Sequence, residues 1–230
     1  MKFDTYMVGG CVRDEIMGLK SKDIDFVMLA PSFEAMRAEI LKEGHTIFLE
    51  KPEYQVIRAH HAVFGAVDYT LARKDGKYSD GRHPDNTTIV LELEQDLARR
   101  DFTCNAIAKD IRTGEIVDPF FGRRHIADKM LHAVGNAHDR FAEDRLRVFR
   151  ALRFSIQKGF TLSSEIIQAI NTLNIKDYDA VSTERIREEL LKMFVANTRD
   201  SITLLSHEFP QLFNVLLSRG IWFQPTTKKP

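Results

Sequence analysis

The sequence predicts an α+β protein, in which a mixed-sheet domain over residues 1–130 is followed by an all-helical region over residues 131–230. Short apolar runs alternate with glycine turns in the first region, whereas apolar residues recur at helical spacing from about residue 137 onward. The formal net charge of zero divides at the same place, because residues 1–130 hold 19 Lys+Arg against 22 Asp+Glu and residues 131–230 hold 14 against 11. A chain of 230 residues has room for one or two domains.

The composition excludes several classes of protein. Hydrophobic residues make up 43% of the chain and charged residues 29%, which is typical of a soluble globular protein and not of a disordered one. A net charge of zero argues against binding nucleic acid mainly by bulk positive charge, although it leaves a local basic strip open. No apolar run approaches the roughly 18 residues of a membrane-spanning helix, so we expect no membrane partner. Residues 1–6 lack the layout of a signal peptide. Cys11 and Cys104 are too few for a disulfide framework or a cysteine zinc site, and they favour a cytoplasmic location.

The first region is predicted to begin with a strand, a glycine turn and a helix. Residues 6–8 form the strand, Gly9 and Gly10 form the turn, and the helix starts at Cys11, which is an arrangement typical of anion binding. The remaining predicted elements are a strand over 24–28, a helix over 33–43, several strands over 46–71, a loop over 74–88, a strand over 89–93, a helix over 97–109 and a turn over 118–122.

Four helices are predicted in the second region. The first carries an apolar stripe of Leu146, Phe149, Leu152 and Ile156. The others cover residues 163–173, 183–194 and 201–217, with an interruption near Pro210. Ser182 is a predicted cap for the third helix, and Arg185 and Glu189 form a predicted i,i+4 pair.

Paired acids carry the strongest local signal. Asp23 and Asp25 lie two apart on a predicted strand, so their side chains point to the same face and repel each other unless a cation lies between them. Mg²⁺ prefers such hard oxygen ligands. A neighbouring strand could bring Asp68 beside them, and three acids on adjacent strands are typical of two-metal nucleotidyl transfer. The alternative is a pair of solvent-facing acids on an edge strand, which is the commoner meaning of a bare Asp-x-Asp pattern.

Two further features support anion binding without proving it. Backbone amides at Gly9 and Gly10 can approach a triphosphate and Arg13 can neutralise it, although a Gly-Gly pair alone is more often just a turn. Five arginines also fall within one short run, namely Arg140, Arg145, Arg147, Arg150 and Arg153. On charge alone this run favours a solvated helix face with ion pairs, and the alternative is a phosphate-facing strip.

The motifs together resemble one known family. Residues 8–14 (VGGCVRD) and 22–27 (KDIDFV) are similar to the opening motif of class II tRNA nucleotidyltransferases, which are the CCA-adding enzymes, and of their relatives the bacterial poly(A) polymerases in the polymerase-beta-like superfamily. Further similar segments follow in the family's order, at residues 67–73, 79–84, 99–106, 118–122, 143–147 and 183–190. The resemblance covers roughly residues 5–195.

The resemblance implies a fold, an activity and a set of site residues. It implies a nucleotidyltransferase head over 1–130, followed by a helical neck and a truncated body over 131–230. The implied activity is the addition of C, C and A to the 3′ end of tRNA from CTP and ATP, with release of pyrophosphate. Asp23 and Asp25 would bind Mg²⁺, and Asp68 would help to bind or deprotonate the RNA 3′-hydroxyl. The triphosphate would contact Gly9, Gly10 and Arg13, and the ribose and phosphates would contact Arg100, Asp101 and Asn105.

The resemblance also implies that Asp144, Arg147 and Arg150 select the base. Asp144 and Arg147 are three apart on a predicted helix and therefore face the same way. A carboxylate accepts hydrogen bonds and a guanidinium donates them, so the two can match the exocyclic amino group and ring nitrogen that CTP and ATP share. The alternative is an ordinary i,i+3 salt bridge.

Several alternatives stay open. A flexible loop containing Asp80, Gly81 and Arg82 favours full CCA addition over partial addition. The runner-up activities are poly(A) polymerase and a CC- or A-adding enzyme, and the non-enzyme alternative is an RNA-binding protein with lapsed catalysis. Only about 35 residues follow the neck match, so we expect a C-terminally short form in which the true RNA substrate is open. The oligomeric state and the source organism are open as well.

Overall fold

A seven-stranded mixed sheet forms most of the first region in the computed structural model, which describes residues 2–21, 23–78, 84–179 and 181–221. The strands are Thr5–Val8 (β1), Ile24–Met28 (β2), Thr46–Lys51 (β3), Val56–His61 (β4), Gly65–Leu71 (β5), Arg73–Asp75 (β6), Thr87–Ile89 (β7), Ala108–Asp110 (β8), Ile116–Val117 (β9), Met130–Leu131 (β10) and Thr161–Leu162 (β11). The sheet order is β3-β4-β5-β2-β1-β8-β9, in which β2 and β5 are parallel and the other neighbours are antiparallel. Two small pairs, β6-β7 and β10-β11, complete the strands.

The register between β2, β5 and β4 positions the predicted acids. Parallel pairing sets Asp25 opposite Asp68, and antiparallel pairing sets Asp68 opposite Arg58. The β4-β5 hairpin turns over three residues and ends at Gly65, whose φ of +73° favours glycine. The three charged residues therefore lie in one row across the sheet.

Ten α-helices surround the sheet and form most of the second region among the described residues. They are Gly10–Ile16 (α1), Phe33–Lys42 (α2), Leu93–Ala98 (α3), Gly122–Ala127 (α4), Ala137–Glu143 (α5), Leu146–Lys158 (α6), Ser164–Thr172 (α7), Thr183–Ala196 (α8), Thr198–Thr203 (α9) and Pro210–Ser218 (α10). Short 3₁₀ turns cover Pro52–Tyr54, Thr103–Asn105 and Ile175–Tyr178, and a π-turn covers Leu204–Glu208. None of the described helices combines the length and the apolarity needed to cross a bilayer.

Side-chain caps define several helix starts. Ser182 accepts a hydrogen bond from the Arg185 amide, as its predicted capping role requires, and Ser32 and Ser163 cap α2 and α7 in the same way. The predicted interruption near Pro210 is confirmed, because the chain passes through a π-turn and resumes as α10 with the proline in its first turn.

The largest hydrophobic core joins the two regions. The predicted stripe on α6 is buried at Leu146, Phe149 and Leu152 and partly buried at Ile156. The same cluster contains residues of the first region, including Cys11, Val12, Phe102 and Cys104. The boundary at residue 130 stays a prediction, and apolar packing is continuous across it.

Several predicted elements are wrong. Residues 97–109 are not one helix, because α3 ends at Ala98 and the chain then enters β8, which pairs with β1 in the sheet. The strand predicted over 89–93 lies earlier, since β7 ends at Ile89 and Leu93 begins α3. The segment predicted as a loop over 74–88 contributes to the β6-β7 pair. Residues 62–64 form a turn rather than part of a strand. The second region is not all helical, because β11 pairs with β10.

Candidate active site

A cavity of about 850 Å³ lies between the sheet and helices α6 and α8, and it brings together most of the predicted site residues. The predicted residues that line it are Gly9, Gly10, Arg13, Asp23, Asp25, Arg100, Asp101, Asn105, Asp144, Arg147 and Arg150. Asp68 is absent from the described residues of this lining and lies beside it, next to Asp25 in the sheet. The predicted loop residues Asp80, Gly81 and Arg82 lie outside the described residues.

The carboxylates of Asp23 and Asp25 face this cavity from the start of β2. The pKa of Asp25 is raised above its ordinary value, first because the surrounding protein partly desolvates the carboxylate and second because Asp68 lies beside it. The charge of Asp23 raises this pKa further. Neighbouring carboxylates destabilise each other's negative charge and supply hard oxygen ligands, so this pair is suited to binding a divalent cation. No group of three or more His, Cys, Asp or Glu side chains in the described part of the chain is arranged to hold a metal.

Arg58 forms a two-point ion pair with Asp68. The Arg58 Nε donates to Asp68 Oδ1 at 2.6 Å and Nη2 donates to Oδ2 at 2.8 Å, so both carboxylate oxygens accept from one guanidinium. Sequence reasoning missed this residue. In a hairpin centred on Val63, residues equally far from the centre pair with each other. Locating this turn in the sequence would therefore have predicted that Arg58 lies opposite Asp68.

Two separate features favour glycine at position 9. Its φ is +75°, in the left-handed region that favours glycine. A Cβ atom at this position would lie 2.9 Å from Nη1 of Arg100, closer than the two groups can approach without movement. The glycine turn therefore lets Arg100 lie against the backbone at the cavity wall.

A network of buried polar side chains supports the predicted triphosphate and ribose contacts. Arg13 donates from Nη1 to Asn105 Oδ1 at 2.5 Å and from Nε to Asp14 Oδ1 at 2.9 Å. Lys158, at the end of α6, donates to the same Asp14 oxygen at 2.9 Å. These bonds, with the ring of Phe154, hold Arg13 against α6 at the cavity wall.

Asp101 connects this network to Arg150. Arg150 donates to Asp101 Oδ2 from Nε at 2.8 Å, and Asn105 donates to Oδ1 at 3.0 Å. Burial alone would raise the pKa of Asp101, but the charge of Arg150 and these hydrogen bonds lower it to about 2. The ring of Phe154 lies beneath three guanidinium groups, at centroid distances of 5.0 Å from Arg13, 5.7 Å from Arg150 and 4.6 Å from Arg153.

The helical argument for Asp144 and Arg147 is wrong, although both residues line the cavity. Asp144 follows α5 with extended backbone (φ −147°, ψ 107°), and its carboxylate accepts from the amide of Leu146 at the start of α6 at 2.9 Å. The side chains of Asp144 and Arg147 therefore do not lie on one face of the same helix. The alternative of an i,i+3 salt bridge is not what the described contacts show either, because Asp144 pairs with Arg185 and Arg147 pairs with Glu143.

Arg147 is held by three hydrogen bonds to described residues. Its Nη1 donates to Glu143 Oε2 at 2.5 Å and to the Arg140 carbonyl at 3.1 Å, and its Nη2 donates to the Arg99 carbonyl at 3.2 Å. A guanidinium has five N–H donors, so two are left over from these contacts. The side chain is therefore oriented by the protein while it keeps donors for a ligand.

Most arginines of the 140–153 run form ion pairs, as the interpretation from charge alone predicts. Arg140 and Arg147 share Glu143, Arg150 pairs with Asp101, and Arg153 lies 2.8 Å from Glu189. Three of these residues nevertheless line the cavity, namely Arg147, Arg150 and Arg153. The two interpretations are thus compatible. The predicted pair between Arg185 and Glu189 is wrong, because each contacts a different helix or loop.

Lys158, Phe154, Arg153 and Arg185 also line the cavity and were not predicted as site residues. Sequence spacing offers one signal for the first three, since residues 153, 154 and 158 follow Arg150 at helical intervals of three, four and eight residues. No such signal exists for Arg185, which reaches the cavity from α8, 41 residues after Asp144 in the chain.

The family of the chain follows from its first region. Residues 5–132 match the family model described as the poly A polymerase head domain. The chain belongs to the poly A polymerase head domain family. The matched segment contains the whole seven-stranded sheet and the carboxylates at its cavity edge, and the predicted resemblance is confirmed.

Relatives in this head domain family include CCA-adding enzymes. The chain is 38% identical to the CCA-adding enzyme of Oceanobacillus iheyensis over 192 residues, which are 84% of this chain and 46% of that protein. It is 35% identical to the CCA-adding enzyme of Lactobacillus johnsonii over 243 aligned positions, covering 98% of this chain and 57% of that protein. The chain thus spans about half the length of the relatives it matches.

Solved structures of the family share this fold. The CCA-adding enzyme of Bacillus stearothermophilus in complex with CTP superposes with a TM-score of 0.77 at 33% identity, covering 90% of this chain and 49% of that one. A tRNA nucleotidyltransferase complexed with a primer tRNA and an incoming ATP analog gives a TM-score of 0.66 at 25% identity, covering 96% and 58%. The predicted α+β architecture with a nucleotidyltransferase head is confirmed.

Proposed function

We propose that this chain is the nucleotide-selecting and nucleotide-transferring part of a template-independent RNA nucleotidyltransferase that adds C, C and A to the 3′ end of tRNA from CTP and ATP. The observation that carries the proposal is the composition of one cavity. Paired carboxylates at Asp23 and Asp25 share it with Arg13 of α1 and with a carboxylate and a guanidinium at Asp144 and Arg147. A metal, a triphosphate and a base could therefore be held in one place.

In this proposal the chain supplies charge and orientation. Asp23 and Asp25 would hold Mg²⁺, which when bound would neutralise charge on the triphosphate and the attacking oxygen. Arg13 and the backbone at Gly9 and Gly10 would bind the β- and γ-phosphates, away from the carboxylates. Asp68 would accept a hydrogen bond from the RNA 3′-hydroxyl. That hydroxyl would attack the α-phosphate and pass its proton to Asp68. The bond between the α-phosphate and the β-phosphate would break, and pyrophosphate would leave with its charge balanced by Arg13.

The ribose and base would be selected by pre-oriented groups. Arg100, Asp101 and Asn105 line the same cavity as the proposed phosphate and base contacts, and Asp101 stays ionised because its pKa is lowered to about 2. Asp144 would accept from the exocyclic amino group of CTP or ATP, and Arg147 would donate to the adjacent ring nitrogen. UTP and GTP present a carbonyl and an N–H at these positions, so both contacts would be repulsive. Arg150 would hold Asp101 in place beneath the base.

An incorporation assay tests the proposal. A tRNA lacking its 3′-terminal CCA is incubated with labelled CTP and ATP and Mg²⁺, and the products are resolved at single-nucleotide length. We expect three additions in the order C, C, A, and Asp25→Asn should abolish them because it removes one of the paired charges. Asp128→Asn, at an exposed position outside the cavity lining, is the matched control.

Each alternative predicts a different product. A poly(A) polymerase would make long A tails from ATP alone, and a partial adder would stop after CC or add only the final A. An RNA-binding protein with lapsed catalysis would incorporate nothing and would bind RNA equally well after Asp23→Ala. We favour full CCA addition because the relatives at 35–38% identity are CCA-adding enzymes.

The proposal includes a cytoplasmic location. It is supported by Cys11 and Cys104, which are both buried free thiols in the structure. A fractionation experiment that recovers the protein with soluble tRNA would agree with it, and recovery in an oxidising compartment would contradict it.

A further inference from the structure

Three charged side chains form a row across neighbouring strands beside the cavity. β2 pairs Asp25 with Asp68 on β5, and β5 pairs Asp68 with Arg58 on β4. Residues paired in register project from the same face of a sheet. The row therefore places Asp68 between a second carboxylate on one side and a guanidinium on the other.

The guanidinium engages only one of the two carboxylates. Arg58 donates to both oxygens of Asp68, at 2.6 Å and 2.8 Å. Asp23 and Asp25 line the cavity, and no ion pair joins either of them to another described residue, although the charge of Arg100 acts on Asp25. Arg58 therefore balances the charge of Asp68 within the sheet. The charges of Asp23 and Asp25 are left for a cation.

We propose that Arg58 is a positioning residue that keeps Asp68 out of the cation site formed by Asp23 and Asp25. The proposal deepens the proposed function and rests on it. Each Asp68 oxygen has a second lone pair, so the carboxylate can still accept a hydrogen bond from a hydroxyl group. Arg58 thereby assigns two acids to the metal and the third to the attacking hydroxyl.

Loss of Arg58 has a definite consequence for metal binding. Asp68 would become an unbalanced carboxylate next to Asp25 and would be free to turn toward the cation. A further carboxylate beside a divalent cation strengthens its binding, so we expect Arg58→Gln to bind Mn²⁺ at least about threefold more tightly.

The test measures Mn²⁺ binding to the full chain without nucleotide or RNA. Free Mn²⁺ is followed by electron paramagnetic resonance for the wild type, Arg58→Gln, and the double variant with Asp68→Asn. Arg37→Gln is the matched control, because Arg37 forms an ion pair with Glu50 on β3, in which its Nε contacts both carboxylate oxygens, and its side chain is 46% exposed against 48% for Arg58.

The expected pattern is specific to the proposal. Affinity should rise in Arg58→Gln, return to the wild-type value or below in the double variant, and stay unchanged in Arg37→Gln. Equal affinity in Arg58→Gln and the wild type would overturn the proposal. A gain that survives Asp68→Asn would also overturn it, since the effect would then arise from the lost positive charge alone.

A second variant covers the case in which Arg58→Gln does not fold. Arg58→Lys keeps the charge but cannot form the two-point contact. It should bind Mn²⁺ more tightly than the wild type, and wild-type affinity in this variant counts against the proposal. The readout is independent of nucleotide transfer. Failure to add CCA with the Mn²⁺ pattern intact would reject the proposed function alone, whereas normal addition with unchanged Mn²⁺ binding would reject the role of Arg58 alone.

Discussion

Arg185 on α8 donates a hydrogen bond to the carboxylate of Asp144, with 2.9 Å between Nη2 and Oδ2. The other oxygen of this carboxylate accepts from the amide of Leu146 at 2.9 Å. Asp144 belongs to no helix and would otherwise be free to rotate, so these two bonds fix the direction in which it accepts from a base. The proposed base reader is thus oriented by a helix far away in the chain.

Replacing Arg185 should therefore reduce base discrimination more than it reduces transfer. We expect Arg185→Gln to raise incorporation of UTP and GTP relative to CTP and ATP about tenfold, since a charge-assisted hydrogen bond contributes roughly 1.5 kcal/mol. The measurement is kcat/KM for each of the four nucleotides. Arg187→Gln, exposed on the same helix, is the control. An equal loss for all four nucleotides would show that Arg185 serves only to stabilise the fold.

The glycine at position 9 should be irreplaceable for a reason beyond backbone strain. Gly9→Ala combines a φ of +75° with a Cβ atom 2.9 Å from Arg100, whereas Gly114→Ala has the same φ with nothing within 4 Å. We expect each substitution to cost about 1–3 kcal/mol of unfolding free energy from strain. Only Gly9→Ala should also weaken CTP binding, as measured by calorimetry. Identical CTP affinities in the two variants would contradict the contact with Arg100.

The buried carboxylate of Asp101 predicts a pH dependence of stability. Its pKa of about 2 lies below the unfolded-state value of about 3.9, so its contribution is complete above the unfolded-state pKa and is lost as the pH falls through about 2. Asp101→Asn should therefore lower the unfolding free energy by about 2 kcal/mol at pH 7 and by about 1 kcal/mol less at pH 3.

Urea denaturation followed by circular dichroism measures this difference at the two pH values. Asp128→Asn removes a carboxylate whose side chain is 56% exposed and serves as the control, for which we expect little change at either pH. If the loss caused by Asp101→Asn were the same at pH 7 and pH 3, the ionised form would not be the stabilising one.

The two thiols should be unreactive in the folded chain. Burial raises the pKa of Cys104 to about 12 and also raises the pKa of Cys11, whose thiol donates to the Val8 carbonyl at 3.2 Å. We expect neither to react with a disulfide reagent at pH 8 within minutes, and both to react in 8 M urea. Rapid reaction of one thiol in the native state would place that residue at the surface instead of in the core.

Local sequence patterns predicted the elements that are determined by residues close together in the chain. Apolar spacing predicted the helix near residues 33–43, and capping chemistry predicted the Ser182 cap. The break near Pro210 follows from the backbone N–H that proline lacks. The segment after Ala98 could not be predicted in this way. Its sequence tolerates a helix, but residues 108–110 pair with β1 and β9 inside the sheet, and this nonlocal pairing outweighs local propensity.

The acids show the same division. The spacing of Asp23 and Asp25 indicates a shared face, and membership of a family indicates what such a face is for. The partner of Asp68 is decided by strand pairing, which sets Arg58 opposite it. Asp144 and Arg147 both line the cavity, but the i,i+3 spacing is not the reason, because the chain leaves the helix at Asp144. Arg185 fixes the Asp144 carboxylate instead.

The sequence by itself determined the class of fold, the order of the motifs and the residue types that meet at the cavity. The class of fold follows from periodicity and composition along the chain, whereas the residues that meet at the cavity follow from the resemblance of their motifs to a known family. Only the tertiary structure decided which charges are balanced, namely Asp68 by Arg58, Asp101 by Arg150 and Asp144 by Arg185. The partners of the last two pairs lie more than 40 residues apart, and strand register or helix packing, rather than local spacing, brings each pair together.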